Sequence, residues 1–173
     1  VVGGRGGKPD ILLRAPVAGG YHPADVKGHR VLQGGAGARI SSLFDPAYSA
    51  ATTVELAARH REGDLIQLAH YWRMLEACGF NAAASYGAIV GNDPGDTYRL
   101  VWYDLSAPEF VTFSRSNGKT ARSALERHDH EHTFRIKVAL RAAERTGIRG
   151  PLDRHRRRAP PRDLVRGPER RRH

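Results

Sequence analysis

The spacing of apolar residues changes along this chain, and that change restricts the architectures open to it. Leu65, Leu68, Ala69, Trp72 and Leu75 recur at helical intervals between Asp64 and Cys78, with Asp64 placed to cap the start and Gly79 to end the helix. The neighbouring segments are short apolar runs bounded by Gly, Pro, Asn and Asp, a strand-like pattern. Residues 9–14 and 24–32, separated by the Gly19-Gly20 turn, predict a β-hairpin. Pro23 has no N–H for a ladder, so it is expected at the start of the second strand. Residues 85–91, 98–105 and 109–113 predict three more strands, Trp102 and Tyr103 adding β-type bulk to the second of these. Residues 34–49 read as a loop and 50–61 as a short helix. A long helix is expected over 119–145, with Leu125, Ile136, Val138 and Leu140 as core contacts. Strands and helices in this mixture predict an α/β fold.

The formal charge of +10 is unevenly distributed. Residues 147–173 hold ten Arg, four Pro and three acidic residues, a balance of +7 that leaves +3 for the rest of the chain. The expected organisation is therefore a folded domain over 1–146 and a disordered Arg/Pro-rich tail over 147–173, suited to polyanions. No apolar run reaches the ~20 residues of a membrane span, so a membrane partner is not expected. The N-terminus lacks a secretory pattern, and a cytoplasmic protein is expected. Cys78 is the only cysteine, so an internal disulfide and a CxxC metal site are both excluded.

Chemistry concentrates in the expected hairpin. Pro9-Asp10 opens its first strand and Asp25-Val26-Lys27 lies in the second. Residues i and i+2 of a strand share a face, so Asp25 and Lys27 project together, and pairing of the strands can bring Asp10 beside them. Two carboxylates with the backbone carbonyl of Val26 suit Mg²⁺ or Mn²⁺, which take oxygen ligands and retain waters. An adjacent ammonium can orient a water or neutralise a phosphoryl transition state. On the following helix Gln67 and Tyr71 are i, i+4 neighbours on one face.

Pro9-Asp10, then Asp25-x-Lys27, then Gln67-x-x-x-Tyr71 resembles the motif series of the PD-(D/E)XK nuclease superfamily, in its RecB-like branch. The segments LIQLAHYWRMLEACGF, GAIVG, LVWYDL and RSALERHDHEH are similar to RecB-family nucleases of actinobacterial type, and the likeness spans residues 6–143, about four-fifths of the chain. The resemblance implies a restriction-endonuclease-like mixed sheet flanked by helices, and Mg²⁺- or Mn²⁺-dependent hydrolysis of phosphodiester bonds in DNA repair or recombination. It implies Asp10, Asp25 and the Val26 carbonyl as metal ligands, with Lys27, Gln67 and Tyr71 completing the catalytic set. Its implied partner is DNA, with RNA as the alternative, and it leaves a helicase partner open. Such nucleases usually carry an acidic or histidine motif upstream; the nine residues before Asp10 hold neither, so the domain is expected to be partial. Many relatives carry a four-cysteine iron–sulfur cluster; with one cysteine, none is expected here. The rival expectation is a non-catalytic nucleic-acid-binding remnant acting through its basic tail.

Two further features invite weaker readings. His128 and His132 have the i, i+4 spacing of zinc ligands, against the plainer expectation of a solvated helix face. Arg122 and Arg127 on the same segment, and Ser114, Arg115, Ser116 and Lys119 ahead of it, could touch a phosphate backbone.

Overall fold

The N-terminal hairpin forms, with a shorter second strand than its sequence suggests. Strand β1 (Ile11–Arg14) pairs antiparallel with β2 (Tyr21–Val26), Ile11 opposite Ala24 and Arg14 opposite Tyr21. The structure, a computed structural model, describes residues 4–17, 19–93, 99–114 and 118–146, apart from the side chains at 113, 114 and 146. The chain divides into two compact units, Val1–Thr133 and Phe134–His173.

Pro23 lies inside β2, opposite Leu12, rather than at its start. Alternation along the strand turns its nitrogen to the side away from β1, where pairing with the next strand begins only at Ala24, so no ladder bond is lost. Beyond Val26 the chain leaves the sheet. The expected continuation to residue 32 is instead a separate two-residue strand, β3 (Leu32–Gln33). The carboxylate of Asp93 accepts the Val31 and Leu32 N–H groups at 3.1 and 3.0 Å, fixing this departure.

Two expectations fail in the next stretch. The predicted loop contains β4 (Ala38–Ser42), an interior strand of the main sheet. The predicted helix over 50–61 is absent; a single 3-10 turn at Tyr48–Ala50 is followed by β5 (Thr52–Val54) and β6 (Ala57–Ala58). The β-branched Thr52, Thr53 and Val54 favour an extended backbone, and pairing with β4 supplies their hydrogen bonds. Strand β6 pairs with β3 in a small second sheet.

Helix α1 (Glu62–Cys78) follows, beginning two residues before Asp64. Arg61 stands at its N-cap with no side-chain cap bond, since a guanidinium has no acceptor for the first N–H groups. Gly79 ends the helix at φ 73°, a left-handed conformation that glycine adopts without a Cβ penalty. Strands β7 (Tyr86–Val90), β8 (Arg99–Asp104) and β9 (Phe110–Ser114) match the three expected. The residues assigned to the start of the long helix form β10 (Gly118–Arg122), which pairs antiparallel with β9. Helix α2 (Ala124–Thr146) begins only there, after a reciprocal cap in which Ser123 Oγ accepts the Glu126 N–H at 3.1 Å and Glu126 accepts the Ser123 N–H at 2.8 Å. Leu125 is buried, whereas Val138 and Leu140 are exposed rather than in a core.

The main sheet is mixed and has six strands in the order β1-β2-β7-β8-β4-β5, with β2 and β7 parallel and the other neighbours antiparallel. A parallel pair needs a long crossover, and α1 lies within the one joining β2 to β7. Alternation then sorts side chains to two faces. Ile89, Val101 and Tyr103 meet Leu65, Leu68 and Trp72 of α1, while Ala24, Ala88, Leu100 and Trp102 form a second core on the opposite face. Among the described residues no helix is long and apolar enough to cross a membrane. The Arg-rich tail lies outside the described residues.

Candidate active site

Asp25 pairs with Ile89 of β7, which places it on the face that α1 covers, and it is only 4% exposed. A carboxylate so placed needs partners. Asp10, just ahead of β1 and exposed, accepts the Val26 N–H through Oδ2 at 2.9 Å, and its carboxyl group faces that of Asp25. Burial, and then the Asp10 contact, push the Asp25 pKa up against the pull of Lys27. The Asp25 contact and the Val26 N–H hold Asp10 below its usual value. Of the two, Asp25 is therefore the carboxylate that takes up a proton first as pH falls.

Lys27 stands over this pair. Its Nζ lies 2.5 Å from Asp25 Oδ2, donates to Gln67 Oε1 at 2.8 Å, and faces Asp64 Oδ1 at 3.8 Å. Gln67 thus accepts a hydrogen bond from the ammonium, Asp25 forms a close ion pair with it, and Asp64 adds a longer-range charge. Burial pulls its pKa down, but Asp25 and then Asp64 outweigh that, and the net shift is upward. Lys27 is thus a fixed cation and a poor proton donor or acceptor. Because a lysine only donates, Gln67 must present its carbonyl to it, which turns the amide NH₂ toward Tyr71, whose hydroxyl oxygen accepts at 2.8 Å. All five residues singled out from the sequence are joined in one chain of contacts, across sequence separations of up to 61 positions. The Val26 N–H faces Asp10, and since the N–H and C=O of a strand residue leave on the same side, its carbonyl does too.

Two members of the cluster were missed in the sequence. Asp64 links Lys27 to His29, whose Nε2 lies 2.8 Å from Asp64 Oδ2. A signal existed for each: Asp64 precedes Gln67 by three positions on one helix face, and His29 follows Lys27 by two.

Asp10, Asp25 and the Val26 carbonyl supply few oxygens for a cation. Among the described residues no group of three or more His, Cys, Asp or Glu is arranged to hold a metal ion. Mg²⁺ nevertheless binds commonly through one or two carboxylates with water and substrate phosphate as its other ligands. Two carboxyl groups facing each other concentrate negative charge that a cation offsets, so the donor set fits a sparsely ligated divalent ion.

The other candidates fare differently. His128 and His132 stack with ring centroids 5.7 Å apart, and both nitrogens of His128 are already engaged, by His70 at 3.1 Å and Asp129 at 3.2 Å. This corrects both the zinc reading and the solvated face, since His128 is buried. Arg127 pairs with Glu62 at 2.6 Å and Glu131 at 3.7 Å, leaving it ill suited to a phosphate. Of the basic turn ahead of α2, residues 115–117 lie outside the described residues. Cys78 is exposed at the end of α1. No family model, curated protein or solved structure matches the chain.

Proposed function

We propose that Asp10, Asp25, Lys27, Gln67 and Tyr71 form the centre of a Mg²⁺- or Mn²⁺-dependent nuclease of RecB-like, PD-(D/E)XK type, hydrolysing phosphodiester bonds in DNA. The observation that carries the proposal is the convergence of these five residues, from β2, α1 and the segment before β1, into one buried-to-exposed chain of polar contacts. The mixed sheet, with an N-terminal hairpin and a helix packed against β2, accords with a restriction-endonuclease-like core.

Asp10 and Asp25, with the Val26 carbonyl, would hold the ion, which supplies Lewis acidity toward the phosphate and an acidified water. Asp25 must be ionised to do so. Lys27, paired with Asp25 and bonded to Gln67, offers permanent positive charge to a phosphoryl group, and Tyr71 steadies Gln67. DNA as substrate makes the cytoplasm the expected compartment.

The test is cleavage of linear single- and double-stranded DNA, and of RNA, with Mg²⁺ or Mn²⁺, beside Asp25→Asn. Activity should fall by roughly 10²-fold or more in the variant. Calorimetric Mg²⁺ affinity should weaken as pH falls toward the raised Asp25 pKa, because the proton and the cation compete. Equal cleavage by both proteins would sink the proposal. The +7 balance of residues 147–173 favours a second reading, a non-catalytic nucleic-acid-binding remnant. In that case deleting 147–173 abolishes DNA binding and its steep salt dependence, while no cleavage is seen with either metal.

A further inference from the structure

A run of hydrogen bonds on the far side of Tyr71 contains one proton more than two neutral imidazoles can supply. His70 Nε2 lies 3.1 Å from the carbonyl oxygen of Gly6, His70 Nδ1 lies 3.1 Å from His128 Nε2, and His128 Nδ1 lies 3.2 Å from Asp129 Oδ1. A carbonyl and a carboxylate only accept, so His70 Nε2 and His128 Nδ1 must both carry hydrogen. The imidazole–imidazole contact needs a third. Two neutral imidazoles hold two protons, so the intact run requires that the pair be a monocation. Asp129 is ionised: burial opposes its charge, but its hydrogen bonds from Arg73 and His128 hold its pKa below the usual value.

Gly6 belongs to a segment laid across the candidate site. A Cβ built on Gly7 would stand 2.9 Å from Cε1 of Tyr71, so the backbone there rests on the ring in a place open only to glycine. Upstream, Arg5 faces Asp129 at 3.9 Å, and downstream Asp10 is tied to the Val26 N–H. We propose that residues 5–9 form a proton-gated strap, closed over Tyr71 when the His70–His128 pair holds its extra proton and released when that proton leaves.

The choice of which bond fails follows from exposure and charge. The Asp129 bond is charge-assisted, and the imidazole–imidazole bond is partly buried. The Gly6 bond is exposed, so water replaces it at least cost. On losing a proton, His70 keeps its hydrogen on Nδ1 and turns a lone pair toward the Gly6 oxygen. Closing the strap takes up one proton, so closure is favoured as pH falls, by up to about tenfold per pH unit. The charged and titratable groups facing the pair are Arg5 on the strap, Tyr71, Arg73 and its partner Glu76 on α1, and Asp129 and His132 on α2. Burial, the largest influence, and then the neighbouring His70 and Arg5 lower the His128 pKa despite Asp129.

The gate is read without any activity, and so stands or falls apart from the nuclease proposal. In ¹⁵N-labelled protein, the ring-nitrogen spectra of His70 and His128 and the heteronuclear NOE of Gly6 and Gly7 are followed from about pH 5 to 8. The Gly6 and Gly7 NOE should fall as the shared proton titrates, with one midpoint for both signals. His70→Gln keeps an N–H donor near the Nε2 position but cannot titrate, so its strap should stay ordered across the range. An NOE in the parent protein that ignores pH overturns the gate, and this measurement suffices alone if the variant does not fold. A His70→Gln strap that still loosens along the parent curve also overturns it, since another group would then be the gate.

Discussion

Lys27→Ala is expected to lower stability by about 3 kcal/mol near pH 8, the cost typical of leaving one partner of a buried ion pair behind, and to reduce any nuclease activity by roughly 10²-fold or more. The Lys27 and Asp25 side chains are 18% and 5% exposed, so water cannot easily take the ammonium's place. The loss should depend on pH in a defined direction. Without Lys27 the already raised pKa of Asp25 rises further, so the folded variant binds a proton that the unfolded chain releases. Its deficit relative to the parent therefore grows with pH above the Asp25 pKa and shrinks as pH falls through it. Urea unfolding of both proteins at two pH values checks this, and a deficit that is the same at both would overturn the coupling of Lys27 to Asp25. Lys27→Met, which retains the apolar stem, should recover part of the packing but none of the charge.

Leu68→Ala should cost about 2–5 kcal/mol, visible as a drop of several degrees in Tm. Leu68 is fully buried, and it fills the space above β7 so closely that a Cβ on Gly87 would meet its side chain at 3.1 Å. The cavity would also free α1 from the sheet at the position beside Gln67, so contacts from Gln67 to Lys27 and Tyr71 should loosen with it. Leu75, half-buried on the same helix, supplies the control: its alanine variant should cost distinctly less. Equal losses at the two positions would mean that α1 is not held chiefly by its Leu65, Leu68 and Trp72 stripe.

These expectations rest on parts of the molecule that differ in how plainly the sequence announces them. The α1 stripe is local: five apolar residues at helical spacing define one face whatever they pack against, and four of them are buried. Strands β7, β8 and β9 are similarly legible, because bulky and β-branched runs between turn residues suit a pleated surface in any context. Strand β4 is not. Its sequence, Ala-Arg-Ile-Ser-Ser, has no strong preference, and it is a strand because β8 and β5 flank it and take its hydrogen bonds. The segment 50–61 misleads for the same reason, its alanines suggesting a helix that pairing with β4 and β3 prevents. At 118–122 the helical pattern gives way to β10 because β9 lies alongside to accept it.

The sequence by itself determined the α/β class, the helix that carries Gln67 and Tyr71, and the proposal that Asp10, Asp25 and Lys27 belong together, since period-two alternation and hairpin pairing need only neighbours along the chain. Tertiary structure alone decided how those groups are used. It put Asp25 under α1, where burial raises its pKa, and it set Lys27 between the carboxylates of Asp25 and Asp64 and the amide oxygen of Gln67. It also brought His70 to His128 across 58 positions and laid Gly6 against them. Spacing along a chain fixes which faces side chains share, but burial and long-range contact fix their charge, and that depends on what the rest of the fold sets opposite them.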